Sequence, residues 1–268
     1  MNRIKRCFDI LKQEKRAALV SFIMAGDSSY EISFNILESL PKYGADIIEL
    51  GMPFTDPIAD GKIIQKAALR ALASGQTQKK TLDMVRRFRD NNKYTPLLLM
   101  GYYNPIYRYG KNQFIKDAYQ AGVDGLIVVD LPPEHDKEIC IHAYELNIDF
   151  IRLITPTTNF KRLPKLLTNA SGFLYYVSIT GVTGKKLTNI TFVKKAVINL
   201  RQYTMMPIAV GFGIRCREQV EIISKFSDAV IIGSALVELI EKSNNSKEAI
   251  QLVSELMNDL RKGIIKKN

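Results

Sequence analysis

An α/β barrel of eight strands and eight helices is the fold class this sequence predicts, and three observations predict it. Eight apolar runs of strand length recur along the chain: Leu19–Ala25, Asp46–Gly51, Pro96–Gly101, Gly125–Asp130, Phe150–Thr155, Phe173–Ser178, Pro207–Gly211 and Asp228–Gly233. Amphipathic stretches separate them, so strand and helix alternate, the pattern of a parallel sheet. The length of 268 residues, 46% of them hydrophobic, fits one closed (β/α)8 or TIM barrel, which takes about 250 residues. No low-complexity linker interrupts the pattern, so 1–268 reads as a single domain.

The chain begins with Ile4, Phe8 and Leu11 on one face of a short extra helix. The strands that follow show little apolar–polar alternation, as expected when helices cover one face and a packed interior the other. The helical stretches are Glu31–Tyr43, a segment starting at Lys62, Thr81–Asn91, Phe114–Gln120, His135–Asn147, Phe160–Thr168, Phe192–Arg201 and Glu218–Phe226, with Lys247–Lys262 as a long final helix.

Composition narrows the function. The longest apolar run, Ala17–Gly26, falls well short of the roughly 20 residues that span a bilayer. The basic N-terminus (Arg3, Lys5, Arg6) is interrupted by Asp9 and Glu14, which speaks against a targeting peptide. Cys7, Cys140 and Cys216 are far apart and odd in number, which fits a reducing compartment. The expected location is the cytoplasm, or the plastid stroma for an organelle-encoded chain. The formal charge of +11 raises nucleic acid as a partner. The lysines, however, are spread over most helices without interleaved aromatics, so no stacking platform forms. A small anionic substrate suits this surface better.

Chemistry in such barrels sits where strands end. The stretch from Ile48 to Gly61 carries Glu49 inside an apolar strand, then turns through Gly51 and Pro53 into a loop with Asp56 and Asp60. Burying a carboxylate costs several kcal/mol unless it is paired or protonated. An apolar surround would raise the pKa of Glu49 and let it pass protons near neutral pH; the plain alternative is a structural ion pair. Asp60 either folds over the barrel mouth or caps the helix at Lys62. Asp56 is loop structure or a surface contact, and Asp130 either lines the mouth or caps the next helix. Gly211-Phe212-Gly213 and Gly233-Ser234, each leading into a helix, together with Gly181–Gly184, offer N–H groups for a phosphate. His135 and His142 fall on the predicted helix after strand four, away from the strand ends, and no lysine sits at a strand tip. A histidine metal site, a nucleophilic triad and a Schiff base therefore lack their parts. What remains is carboxylate acid–base chemistry on a substrate that can hold electrons itself.

Ile48–Gly61 resembles the signature of the tryptophan synthase alpha subunit. The likeness continues through Asn104-Pro105, Ser178, Gly181-Val182-Thr183-Gly184, Gly211-Phe212-Gly213-Ile214 and Gly233-Ser234, over nearly the whole chain. The resemblance implies a lyase that cleaves indole-3-glycerol phosphate to indole and D-glyceraldehyde 3-phosphate. It implies Glu49 as the acid–base at indole C3, Asp60 as acceptor of the indole N–H, and Tyr175 beside Glu49. Phe22, Met100, Ile127 and Phe212 would pack on the indole. Gly184, Gly213, Gly233 and Ser234 would hold the phosphate, with Thr183 on a closing loop. It also implies a pyridoxal-phosphate-bearing beta subunit as partner, in an alpha2-beta2 heterotetramer, with no cofactor or metal in this chain. Pro53–Pro57 and Asn104-Pro105 would face that partner. Two departures stand out: Ser28 where members usually have proline, and Ile179 where some carry arginine. A phosphoribosyl-anthranilate isomerase would want a Cys/Asp pair at strand ends, and an indole-glycerol-phosphate synthase a strand-end lysine; neither is present. An inactive activator of a partner would not need both Glu49 and Asp60.

Overall fold

The computed structural model describes residues 2–159, 161–177, 190–211 and 213–264. Its strands are β1 Ala18–Met24, β2 Ile47–Gly51, β3 Leu97–Gly101, β4 Gly125–Val128, β5 Asp149–Phe150, β6 Arg152–Ile154, β7 Leu174–Val177, β8 Ile208–Gly211 and β9 Ala229–Ile232. The α-helices are α1 Arg3–Gln13, α2 Tyr30–Ser39, α3 Lys62–Ala73, α4 Gln78–Asn91, α5 Tyr103–Tyr109, α6 Lys111–Ala121, α7 Lys137–Glu145, α8 Leu163–Leu167, α9 Ile190–Leu200, α10 Arg217–Ser224, α11 Ser234–Lys242 and α12 Ser246–Arg261.

All strand pairs are parallel, in the order β5-β4-β3-β2-β1-β9-β8-β7-β6. The two ends of this sheet belong to one stretch of chain. Asp149 and Phe150 pair with β4, Arg152–Ile154 pair with β7, and Ile151 alone stands between them. The predicted fifth strand is thus split in two because it changes partner at Ile151, and that change closes the ring. The (β/α)8 barrel is as expected.

Strand parity divides the interior. Residues such as Val20, Ile47, Leu98, Ile127, Phe173, Ala209 and Ile231 point into the barrel and form its lower core, while their neighbours pack against the surrounding helices. Helix α1 plugs the lower end. Ile4 and Leu11 are buried, Phe8 lies 5.8 Å from Phe173, and Arg3 pairs with Asp124 at 2.8 Å. Asp124 also receives Arg89 at 2.5 Å and the Leu97 N–H at 2.8 Å, so the plug is bolted to the strand starts by charge-assisted bonds. This leaves the opposite end, where strands finish, open for a site.

Several boundaries differ from the sequence expectation. The helix predicted over Glu31–Tyr43 stops at Ser39 and tightens into a 3-10 turn at Leu40–Tyr43, because Pro41 cannot donate to a continued helix. The helix predicted from Phe160 begins at Leu163, with Pro164 in its first turn; Phe160 lies outside the described residues. Tyr103–Tyr109 forms a further short helix, α5, between β3 and α6. His135 does not belong to α7; it sits exposed in the turn before it, and only His142 is on that helix.

Candidate active site

Glu49 sits in the middle of β2, level with Phe22 on β1 and Leu98 on β3. Its parity turns it into the barrel, where it is 0% exposed. Neither carboxylate oxygen has a hydrogen-bond partner, so nothing compensates the loss of water. Burial pushes its carboxyl up to about 8. Among the described residues, the structural ion pair considered as the plain alternative is not present.

Small residues make space around it. A Cβ at Gly51 would lie 2.7 Å from the Phe22 ring, and one at Gly211 would lie 2.4 Å from the Tyr175 ring and hydroxyl. Glycine at these inward positions lets both aromatic rings lie across the barrel mouth. Burial, then the nearby Glu49 and Asp60 carboxylates, push the Tyr175 hydroxyl well above its ordinary value, which keeps it a neutral donor.

Asp60 arrives on the loop between β2 and α3. The Asp60 N–H donates to Pro57 O, and Gln65 donates to Asp60 O at 2.8 Å. The helix cap is Gly61, with no side-chain bond to the helix end, so Asp60 is not spent on capping. Partial burial pushes it up to about 6, and the Tyr102 hydroxyl pulls it back down. That hydroxyl also accepts the Ala59 N–H at 3.0 Å, and its ring packs on Phe54 at 5.5 Å. Tyr102 is the site residue that sequence reasoning missed. Its only signal was its position at the end of β3, where aromatic residues usually read as core or loop.

Phe22, Glu49, Asp60, Met100, Tyr175, Gly213, Gly233 and Ser234 line one cavity of about 1200 Å³ at the strand ends. Ile127 is not on its wall. It is fully buried and packs in the barrel core, level with Met100. Thr183, Gly184 and Phe212 lie outside the described residues, as do Ser178, Ile179 and Gly181. Two strands round the barrel from Glu49's strand, Gly233 follows β9 as the N-cap of α11, with Ser234 the helix's first residue. Gly213 has φ +47° and open space where a Cβ would point, so ligand atoms can approach its backbone closely. Asp130 both lines the cavity and accepts the Tyr103 N–H at 2.7 Å; it caps α5, not the helix after β4.

The end of β1 is braced separately. Asp27 is fully buried and takes a bidentate pair from Arg70 at 2.8 and 2.9 Å, and Arg70 reaches Glu241 of α11 at 3.0 Å. Ser28 has φ +63°, a conformation closed to proline, whose ring fixes φ near −65°. Proline would not fit this backbone at position 28. Among the described residues, no three His, Cys, Asp or Glu side chains come together as a metal donor set, and no helix is long and apolar enough to cross a membrane.

An inward, solvent-free carboxyl paired across a barrel mouth with a second carboxylate defines the class: a (β/α)8-barrel enzyme of acid–base type. The family model for the tryptophan synthase alpha chain matches residues 8–264. The fold is similar to tryptophan synthase subunit alpha from Legionella pneumophila str. Paris, with TM-score 0.92, 36% identity and 98% of each chain covered. A tryptophan synthase alpha chain from Legionella pneumophila subsp. pneumophila gives 0.90 and 37%, covering 98% of this chain and 97% of that one. Mycobacterium tuberculosis tryptophan synthase gives 0.89 and 31%, with 98% of each chain covered. The chain belongs to the tryptophan synthase alpha chain family. It is a carbon–carbon lyase of L-tryptophan biosynthesis, cleaving indole-3-glycerol phosphate to indole and D-glyceraldehyde 3-phosphate.

Proposed function

We propose that Glu49 and Asp60 divide the acid–base work of this cleavage. The observation that carries the reading is the unpartnered, fully buried carboxyl of Glu49 inside the mouth that Asp60 also lines. With a pKa of about 8, Glu49 holds its proton at neutral pH, while Asp60 at about 6 is largely ionised. Two carboxyls separated in this way by their surroundings take the roles of acid and base.

Glu49 gives its proton to C3 of the indole ring. The ring becomes a cationic indolenine, and the Asp60 carboxylate holds its N–H and stabilises the positive charge. The bond from C3 to the glycerol carbon then breaks, and its electron pair returns to the ring and restores the aromatic indole. The hydroxyl on the departing carbon loses its proton to the Glu49 carboxylate and becomes the aldehyde. Glu49 ends as it began, and the protonated indole serves as the electron sink. Tyr175 orients the reacting groups, and Phe22 and Met100 clasp the ring. Gly213, Gly233 and Ser234 meet the phosphate with backbone N–H groups and the N-terminus of α11.

Residues 1–268 act in this reading as one catalytic domain that needs no cofactor of its own. Indole passes to a beta subunit, which supplies pyridoxal phosphate chemistry in an alpha2-beta2 assembly. The partner surface is the loop Pro53–Pro57 with Asn104-Pro105. Thr55, Asp56 and Asn104 are exposed, and Ile58 beside them is 84% exposed, which suits a face that another chain covers. The test is indole release from indole-3-glycerol phosphate by the purified chain and by Glu49→Gln, each with and without beta subunit. Glu49→Gln should lose activity while keeping its fold. Near-normal turnover of that variant overturns the mechanism, and an unchanged rate across a beta-subunit titration overturns the partnership.

A further inference from the structure

Two helices follow β2 before the chain reaches β3, and they pack differently. α4 packs against α2 and α6, whereas α3 lies against β1 and α11. The buried Ala67, Ala68 and Ala71 of α3 cluster with Phe22 and Met24 of β1 and Val237 of α11. Ile64, in the first turn of α3, lines the reaction cavity with Phe22. Asp60 stands just ahead of this helix and moves with it, because the Gln65 amide donates to Asp60 O at 2.8 Å. Alanines let a helix approach closely but give it short ridges, so they fix its position along β1 only loosely. The polar fixings lie towards the other end of α3. Arg70 forks onto Asp27 with bonds of 2.8 and 2.9 Å from Nε and Nη2, and its Nη1 reaches Glu241 of α11 at 3.0 Å. Ser74, just past the helix, donates to Gly26 O at 2.9 Å. Among the described residues, Arg70 is the one charged side chain of α3 with an ion-pair partner. Helix α11 begins at the other side of the story's geometry, with Gly233 and Ser234 on the wall of the same cavity as Asp60.

We propose that Arg70 is a positioning residue for the cleavage: by holding Asp27 and Glu241 together it sets the separation between Asp60 and the start of α11, and so the fit of a substrate that must reach both. This rests on the roles given above to Asp60 and to Gly233 and Ser234. Arg70 is not among the described residues that line the cavity, so it acts through the two helices and not on the substrate. A ligand held at two ends gains from both only when their spacing matches its length. Lysine could neutralise Asp27, but one ammonium group cannot reproduce a planar fork shared between two carboxylates.

The experiment compares a bridging ligand with one of its halves, by titration calorimetry on the whole chain. 3-(Indol-3-yl)propyl phosphate joins an indole to a phosphate and lacks the hydroxyl whose proton the cleavage removes, so it binds without being cleaved. Glycerol 3-phosphate reaches the phosphate end alone. Arg70→Lys and Glu241→Gln should each weaken the bridging ligand roughly three- to tenfold, as expected of a displacement well below the 1 Å that costs about 100-fold. Glycerol 3-phosphate should bind both variants as it binds the parent. The kcat/KM for indole-3-glycerol phosphate should fall by a similar factor with both pH limbs unmoved, because burial and Tyr102, not Arg70, set the Asp60 carboxyl. Glu241 is 38% exposed, so Glu241→Gln should melt within a few degrees of the parent; if Arg70→Lys does not fold, Glu241→Gln decides the matter. Parent-like binding of the bridging ligand in the folded variants, or an equal loss for it and for glycerol 3-phosphate, overturns the proposal alone. A parent chain that binds the bridging ligand no more tightly than glycerol 3-phosphate overturns the reading of the mouth together with the proposal.

Discussion

Gly211 and Tyr175 fit together through an absence. They lie on adjacent strands, and a Cβ at 211 would come within 2.4 Å of the Tyr175 ring and hydroxyl. The ring that lies beside Glu49 can occupy its place only because residue 211 has no side chain. Gly211→Ala should therefore displace Tyr175. Overpacking of this kind costs about 1–3 kcal/mol. Thermal unfolding should fall by about 2–4 °C for each kcal/mol, with kcat reduced more than KM changes. Truncating Tyr175 to leucine in the same chain should recover most of the stability but not the rate. A double-mutant cycle measures that coupling.

The two carboxyls predict a bell-shaped dependence of kcat/KM on pH. The acid Glu49 must be protonated, so activity falls as pH rises through about 8. The base Asp60 must be ionised, so activity falls as pH drops through about 6. Rates across pH 5 to 9.5 on the free chain check this, because kcat/KM reports groups of the free enzyme. A profile flat across both limbs contradicts the assignment. Stability follows a separate rule. The folded value of Glu49 lies above its unfolded value, so its contribution is fully present below about 4.5 and is lost as pH rises through about 8. Glu49→Gln, which cannot ionise, should therefore be more stable than the parent at pH 9 and nearly equal to it at pH 5, as read by urea unfolding.

Tyr102→Phe isolates the residue that ties the Asp60 loop to β3. The Tyr102 hydroxyl lowers Asp60, so its loss should move the acid limb of kcat/KM upward from about 6. The Ala59 N–H also loses its acceptor, which loosens the loop. The expected result is a shifted acid limb and a higher KM, with the alkaline limb unmoved because Glu49 is untouched. An unchanged acid limb shows that Tyr102 does not tune Asp60.

Much of this was legible in the residues, for reasons that can be named. The strand-end half of the barrel carries the site in this fold: Gly211 ends β8, Gly233 follows β9, and Glu49 and Phe22 face inward from β2 and β1. Eight apolar runs gave the barrel, because strands covered on both faces cannot hide their composition. Contacts between distant segments were not legible. Nothing in sequence says that Tyr102 reaches back to Asp60 and Ala59, or that Asp130 caps α5 instead of its own following helix. The break at Ile151 was hidden for a similar reason: the chain there stays apolar and extended while it exchanges one neighbour for another. Ile127 is expected on the substrate wall only from the family resemblance. Inward parity does not by itself bring a residue to the cavity: Ile127 is fully buried and off its wall, although it is level with Met100, which lines it.

The buried pair of Asp27 and Arg70 gives the last prediction. Asp27 is 0% exposed, and burial raises its carboxyl while Arg70 lowers it. Arg70→Met removes the opposing charge and retains much of the aliphatic stem. The carboxyl of Asp27 must then rise further, because burial and the nearby Glu241 raise it and only the smaller effect of the Ser28 N–H opposes them. A raised folded value stabilises below the unfolded value and loses that stability as pH climbs through the folded one. The variant should therefore be less stable than the parent, with a deficit that grows between pH 5 and pH 8. Breaking a buried pair costs about 3–5 kcal/mol; Arg70 is partly solvated at 26% exposure, so about half of that is expected at pH 8. Asp27→Asn combined with Arg70→Met leaves no charge to bury, and its deficit should not depend on pH over the same interval. Urea unfolding of the parent, the single variant and the double variant at both pH values checks the sign. A deficit in Arg70→Met that is the same at pH 5 and pH 8 means that the pair acts through packing alone.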